Sequence, residues 1–321
     1  MTTHQEHIRQ HRQLMQEEGG QAIAELVAAH PEYAVDQDQS GSASVTNYVI
    51  FGRCGSQPAV FKYFCEDQRR EREVYGLRHW ADSGLVPALL GQQGRRLIVV
   101  ERFPGAFLPS PQDQGWEGLD KETAGSTLGQ ATAKLCAVPL ELEAAADFEA
   151  RFYGGQGLKD YFAGIVEGGR QMQQKADAYA DEIFARSLDL LESQLNYILA
   201  QPRILYHQDA ANMHFVDSCF RGFFDLEMCR VGTRAMQLGS LWGVLAICRL
   251  GSHFARGMAA GGAALGAREL EAGRAFAHFM VWRDIVRIGG WGADAGAPIS
   301  REQADRFRCH LERCDSLRWE E

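Results

Sequence analysis

Ile204-Leu205-Tyr206-His207-Gln208-Asp209-Ala210-Ala211-Asn212-Met213-His214-Phe215-Val216-Asp217 runs from one apolar stretch through a short polar one into another. After a polar Ser218 to Arg221 passage the chain resumes as Gly222-Phe223-Phe224-Asp225-Leu226-Glu227. This pattern predicts strand, loop, strand, turn, strand, with the polar groups at the strand ends. Asp and Asn also favour ordinary turns through side-chain bonds to backbone, so a His-x-Asp triplet alone decides little. The full set says more. Phosphoryl transfer needs a carboxylate beside the attacking hydroxyl and oxygen ligands for the magnesium that neutralises the phosphates. Asp209 can supply the first, and Asn212 with Asp225 the second. The His207 imidazole then reads as a scaffold group that hydrogen-bonds the loop backbone.

Upstream segments extend the pattern. Pro58-Ala59-Val60-Phe61-Lys62-Tyr63-Phe64 reads as a strand carrying one Lys, and an ammonium inside a sheet must be paired or reach water. Arg70-Glu71-Arg72-Glu73-Val74-Tyr75-Gly76-Leu77 follows as a charged helix, with Leu97-Ile98-Val99-Val100-Glu101-Arg102-Phe103-Pro104-Gly105 beyond it as an apolar strand and its exit. Leu128-Gly129-Gln130-Ala131-Thr132-Ala133-Lys134-Leu135 is helical. Together and in this order the segments resemble the aminoglycoside phosphotransferase and choline-kinase-like small-molecule kinases, which share the protein-kinase-like fold. The resemblance covers about residues 35 to 245.

The resemblance implies roles. Lys62 would hold the phosphates of ATP, with Glu73 as its partner and Glu71 the second choice. Glu101 and Phe103 would lie at the interlobe hinge, where adenine meets backbone groups. Ser40, Gly41 and Ser42, in the small and hydroxylated run before the Lys strand, would belong to the loop covering the nucleotide; read without the resemblance, that run is a hairpin turn and lacks Gly-Lys-Ser/Thr. Asp209 would be the base and His207 its scaffold, with magnesium on Asn212 and Asp225.

The chain also departs from the family. Only Ala210 and Ala211 separate Asp209 from Asn212, a shorter gap than usual. Keeping the family spacing would put His214 at the metal position, but magnesium prefers hard oxygen donors. Asn212 also leaves the following strand in register. Downstream, Thr233 and Gln237 stand where two acidic residues are usual, so Gln237 could brace the loop only through neutral hydrogen bonds. Glu227 reads equally as a metal-side group or a strand-end carboxylate.

Composition fits this frame. A chain of 321 residues that is 45% hydrophobic exceeds what one compact core usually serves, so two lobes are expected. The N-terminal run is polar and no apolar stretch reaches membrane-spanning length, which predicts a cytoplasmic protein with no membrane partner. Eight scattered Cys without Cys-x-x-Cys spacing read as reduced thiols. A formal net charge of −9 argues against general nucleic-acid binding. Arg69 to Arg72 reads as a solvated helix face, and the Gly-rich Arg256 to Gly266 passage as a loop.

The expectation is an α+β, two-lobed protein-kinase-like fold with a small antiparallel-sheet N-lobe and a larger, mainly helical C-lobe. Residues 1–30 would be a helical extension, 31–104 the nucleotide-binding N-lobe, and 105–321 the C-lobe with catalytic loop and acceptor helices. The expected activity is ATP- and Mg2+-dependent phosphorylation of a small-molecule hydroxyl acceptor, such as an aminoglycoside, amino alcohol or sugar. The alternatives are a nucleotide-binding pseudokinase and, further off, a metal hydrolase using His207, Asp209 and His214.

Overall fold

The computed structural model describes residues 4–36, 42–43, 46–104, 106–107, 118–152, 157–175, 177–210, 212–291 and 300–319. The chain divides into two compact units. The first comprises Met1–Ala106 with Arg221–Cys229, the second Phe107–Phe220 with Arg230–Glu321.

The first unit is an antiparallel sheet with two helices. Strands β1 (Tyr33–Val35), β2 (Ser42–Ala43), β3 (Asn47–Cys54), β4 (Gln57–Phe64), β5 (Leu89–Gln93) and β6 (Leu97–Glu101) order as β1-β3-β4-β6-β5, with β2 pairing on β3. The apolar run of β6 is buried through Val100 because strands flank it on both sides. Helix α1 (His4–Ala29) places Ile23 and Leu26 against Tyr33, Tyr48, Phe61 and Val99. Its apolar residues are too few for a core of their own and are buried by the sheet. Helix α2 (Asp67–His79) carries an acid in its first turn and bases in its last, matching the helix dipole.

The second unit is mainly helical: α3 (Lys121–Cys136), α4 (Leu142–Phe152), α5 (Leu158–Lys175), α6 (Glu182–Ala200), α7 (Arg234–Ile247), α8 (Gly251–Ala260), α9 (Ala267–Trp291) and α10 (Arg301–Ser316). Its core sets Phe162 and Phe184 against Phe276, Phe279 and Trp282, and the Trp282 indole N–H is satisfied by Ser187 Oγ at 2.9 Å. Strand β7 (Ala106–Phe107) stands where the chain passes from the first unit to the second. The opening stretch of sequence forms β8 (Ile204–His207), β9 (Met213–Val216) and β10 (Cys219–Phe223), and β11 (Cys229–Gly232) pairs with β8. Asp217 and Ser218 both adopt left-handed backbone, the conformation that a two-residue hairpin between β9 and β10 demands.

The fold is therefore α+β, a small antiparallel sheet followed by a helical remainder. One local expectation fails. Arg256 to Ala260 is not loop but the end of α8, and only the residues after it connect to α9.

Candidate active site

Lys62 lies in β4, opposite Val49 on β3 and Ile98 on β6, and is only 5% exposed. A buried ammonium is costly without partners. Its Nζ has three carboxylates nearby: Glu73 Oε2 at 2.6 Å, a close contact to Asp225, and Glu227 Oε2 at 3.9 Å. Burial alone works against the ammonium; the charges of Asp225, Glu73 and Glu227 overcome it and hold the group above its ordinary value. Burial conversely pushes the Glu73 carboxyl up, against the pull of Lys62. The helical spacing that turns Glu73 inward leaves Glu71 exposed, so Glu73 is the residue paired with Lys62.

Asp225 follows β10 in left-handed backbone, φ 59 and ψ 56. Asp tolerates this region better than most residues, yet it remains an unusual state, found mainly where the surroundings enforce it. The enforcement is visible. Phe223 N–H donates to Leu85 O, Leu226 is fully buried, and the Cys229 thiol donates to Arg72 O at 3.1 Å. Gly76 in α2 lets this segment approach: a Cβ there would sit 3.2 Å from Leu226 Cδ1 and Cys229 Sγ. Glu227 is 5% exposed, accepting from Asn47 Nδ2 at 3.2 Å and Arg69 Nη1 at 3.0 Å.

Glu73, Asp225 and Glu227 each offer a carboxylate oxygen, all within 4.8 Å of one another. Such hard oxygen donors fit a magnesium-type ion, and Asp225, with 29% of its side chain exposed, is the accessible one.

The second unit carries the loop. Asp209 is exposed, Asn212 half-buried, and Asn212 N–H donates to Asp209 O at 3.3 Å. His207 is fully buried, and its backbone N–H donates to Gln237 Oε1 at 2.8 Å. Gln237, on α7, thus holds the loop's entry by a neutral bond. Its Nε2 has no hydrogen-bond partner among the described residues.

Other expected residues are spread out. Glu101 ends β6 and its Oε2 accepts from Ala88 N–H at 3.2 Å; with buried Phe103 it lines a cavity of about 500 Å3 that includes Leu77, Val86 and Arg221. Ser42 is in β2, while Ser40 and Gly41 fall outside the described residues.

The sequence reading missed Asn47 and Arg69. Arg69 to Arg72 is not simply a solvated face: Arg72 is buried and Arg69 pairs with Glu227. No local signal could reveal this, because Asn47 and Arg69 stand 180 and 158 residues from Glu227.

Comparison with known proteins gives the family and the fold. The model of the phosphotransferase enzyme family matches residues 47–276. No curated protein sequence matches the chain. The GDP complex of aminoglycoside 2'-phosphotransferase-IIIa is 15% identical, with a TM-score of 0.65 over 92% of this chain and 98% of that one. Spectinomycin phosphotransferase, in complex with ADP and spectinomycin, is 14% identical with a TM-score of 0.62, covering 92% and 97%. A choline/ethanolamine kinase family protein from Mesorhizobium loti is 17% identical with a TM-score of 0.55, covering 93% and 94%. At such identities the structural likeness is one of fold, while the family match extends over well more than half of the sequence. The chain thus belongs to the phosphotransferase enzyme family and is a small-molecule kinase of protein-kinase-like fold.

Proposed function

We propose that the chain transfers the γ-phosphoryl group of ATP to a hydroxyl of a small molecule. The observation that carries this reading is the buried Lys62–Glu73 pair with Asp225 beside it in left-handed backbone. Burying one ammonium among carboxylates gives no stability advantage over apolar packing, so the arrangement is better explained by the phosphates it can receive.

Lys62, oriented by Glu73, binds the nucleotide phosphates. Asn212 and Asp225 are the magnesium ligands; the ion, when bound, neutralises phosphate charge. The Asp209 carboxylate takes the proton from the acceptor hydroxyl as that oxygen bonds to the γ-phosphorus and the bond to ADP breaks. His207 fixes the loop through its backbone bond to Gln237. The backbone at Glu101 and Phe103 receives the adenine, and Ser42 of β2, with Ser40 and Gly41 before it in the sequence, covers the nucleotide. The acceptor is an aminoglycoside, amino alcohol, sugar or similar hydroxyl compound.

The short gap between Asp209 and Asn212 and the neutral Gln237 favour one competing reading, a nucleotide-binding pseudokinase. Thermal-shift measurement with Mg-ATP, followed by ATP-consumption assays against amines, sugars and antibiotics, separates the two. Our reading predicts stabilisation by Mg-ATP and acceptor-dependent consumption. Stabilisation without consumption across the panel would favour the pseudokinase.

A further inference from the structure

We infer that Arg69 and Asn47 are positioning residues, which act through Glu227 to hold Asp225 and Lys62 ready for the Mg-nucleotide. The inference rests on the proposed function above. Glu227 lies two residues after Asp225 and is buried, yet its carboxylate stands 3.9 Å from the Lys62 ammonium that Glu73 and Asp225 contact more closely. A third carboxylate so near the lysine is a competitor. Left alone, it could draw Lys62 away from the phosphates or displace Asp225 from its outward position.

The geometry removes that competition. Glu227 Oε1 is taken by the Arg69 guanidinium at 3.0 Å and Oε2 by the Asn47 amide at 3.2 Å, so both oxygens are occupied from elements other than the one carrying Glu227. Arg69 comes from the first turn of α2, Asn47 from the first residue of β3, and Glu73 from the next turn of α2. The three carboxylates Glu73, Asp225 and Glu227 then face Lys62 and Arg69, and Arg69 is shared with the exposed Glu66 at 3.5 Å, so the corner keeps a net negative charge for a divalent ion to reverse. Without Arg69 the corner carries two uncompensated negative charges, and buried carboxylates in that state repel one another. The same clamp has a mechanical side. Leu226 packed on Gly76 and the Cys229 thiol on Arg72 O tie residues 226–229 to α2, which fixes the otherwise unfavourable backbone of Asp225 from the side on which Arg69 holds Glu227.

Calorimetric affinity for Mg-ATP, with thermal unfolding of the free protein as a folding control, tests the assignment in Arg69→Gln, Arg69→Lys, Glu227→Gln and Arg69→Gln/Glu227→Gln. Arg69→Gln should weaken Mg-ATP by about tenfold or more, and Arg69→Lys should recover much of the loss. Glu227→Gln, which keeps the Asn47 bond but removes the charge, should cost less. In the double variant binding should return toward wild type, because the charge Arg69 neutralises is gone. Arg69→Gln binding within about twofold of wild type, or losses that multiply in the double variant, would overturn the assignment. Should Arg69→Gln fail to fold, the comparison of Arg69→Lys with Glu227→Gln decides: a lysine variant no better than a tenfold loss, beside an unaffected Glu227→Gln, also overturns it. Wild-type protein that does not bind Mg-ATP at all would instead defeat the proposed function.

Discussion

At the scale of single residues, the proposed function makes nucleotide binding depend on the charge balance around Lys62. Replacing Lys62 with Met leaves Glu73, Asp225 and Glu227 without their shared cation, and removing one preorganised donor to phosphate costs about 10²–10³ in kcat/KM. Steady-state kinetics at saturating acceptor measures this, with loss through KM for ATP as well as kcat. Gln237 allows a second prediction. Its Oε1 is the acceptor for the buried His207 N–H, so Gln237→Leu leaves that donor unsatisfied and should destabilise the second unit by about 1–3 kcal/mol. Chemical denaturation reads the loss, and kcat should fall more than KM for ATP rises. Lys62 and Asp225 stand out in the sequence because each interrupts or ends an apolar strand pattern, whereas Glu73 is singled out over Glu71 only by the family resemblance and is fixed as the partner of Lys62 by the fold. Arg69 and Asn47 were not readable: each looks like ordinary surface polarity until Glu227, far along the chain, is folded against it.

Elements were legible wherever apolar periodicity is local. Strand β9 and the start of β10 follow their alternation, β8 is an apolar run buried along its whole length, and α2 follows its charges. The end of α8 was hidden for a physical reason, since its glycines suggest a loop while their absent side chains serve helix packing. A Cβ on Gly129 of α3 would stand 2.2 Å from Phe254 O, and one on Gly257 of α8 2.1 Å from Ser126 O. Glycine's helix penalty is about 1 kcal/mol relative to Ala, smaller than the cost of forcing the two backbones apart. Gly129→Ala should therefore lower stability by about 1–3 kcal/mol or more despite its better helix propensity. A rise in Tm for that variant would contradict the close packing of α3 on α8.

For the whole molecule, buried titratable groups set the behaviour at high pH. Burial pushes the Cys314 thiol up to about 12 from an ordinary value of 9, and the Tyr179 hydroxyl up to about 12 from 10. The folded protein binds these protons more tightly than the unfolded chain, so their contribution is complete below about pH 9 and is lost as pH rises toward 12. Thermal unfolding scanned from pH 8 to 11 should show falling Tm, with a shallower fall in Cys314→Ala. Exposed Cys219 and Cys309 should react with thiol reagents well before Cys314. Among the described residues no helix is long and apolar enough to cross a membrane. The α+β class and the order Lys strand, Glu helix, Asp209 loop, Asp strand end were legible because composition and segment order are properties of the chain itself. That residues Arg221–Cys229 join the first unit is a property of tertiary packing, visible only once Phe223, Leu226 and Cys229 are seen against Leu85, Gly76 and Arg72.

Following labelled γ-phosphate from Mg-ATP into hydroxyl acceptors, in wild type and Asp209→Asn, tests γ-phosphoryl transfer with Asp209 as base. Labelled acceptor should form with wild type and be lost in Asp209→Asn, by about 10²-fold or more, while calorimetric Mg-ATP affinity stays within about twofold. Wild-type protein that binds Mg-ATP but labels no acceptor, or an Asp209→Asn variant that transfers at the wild-type rate, would contradict it.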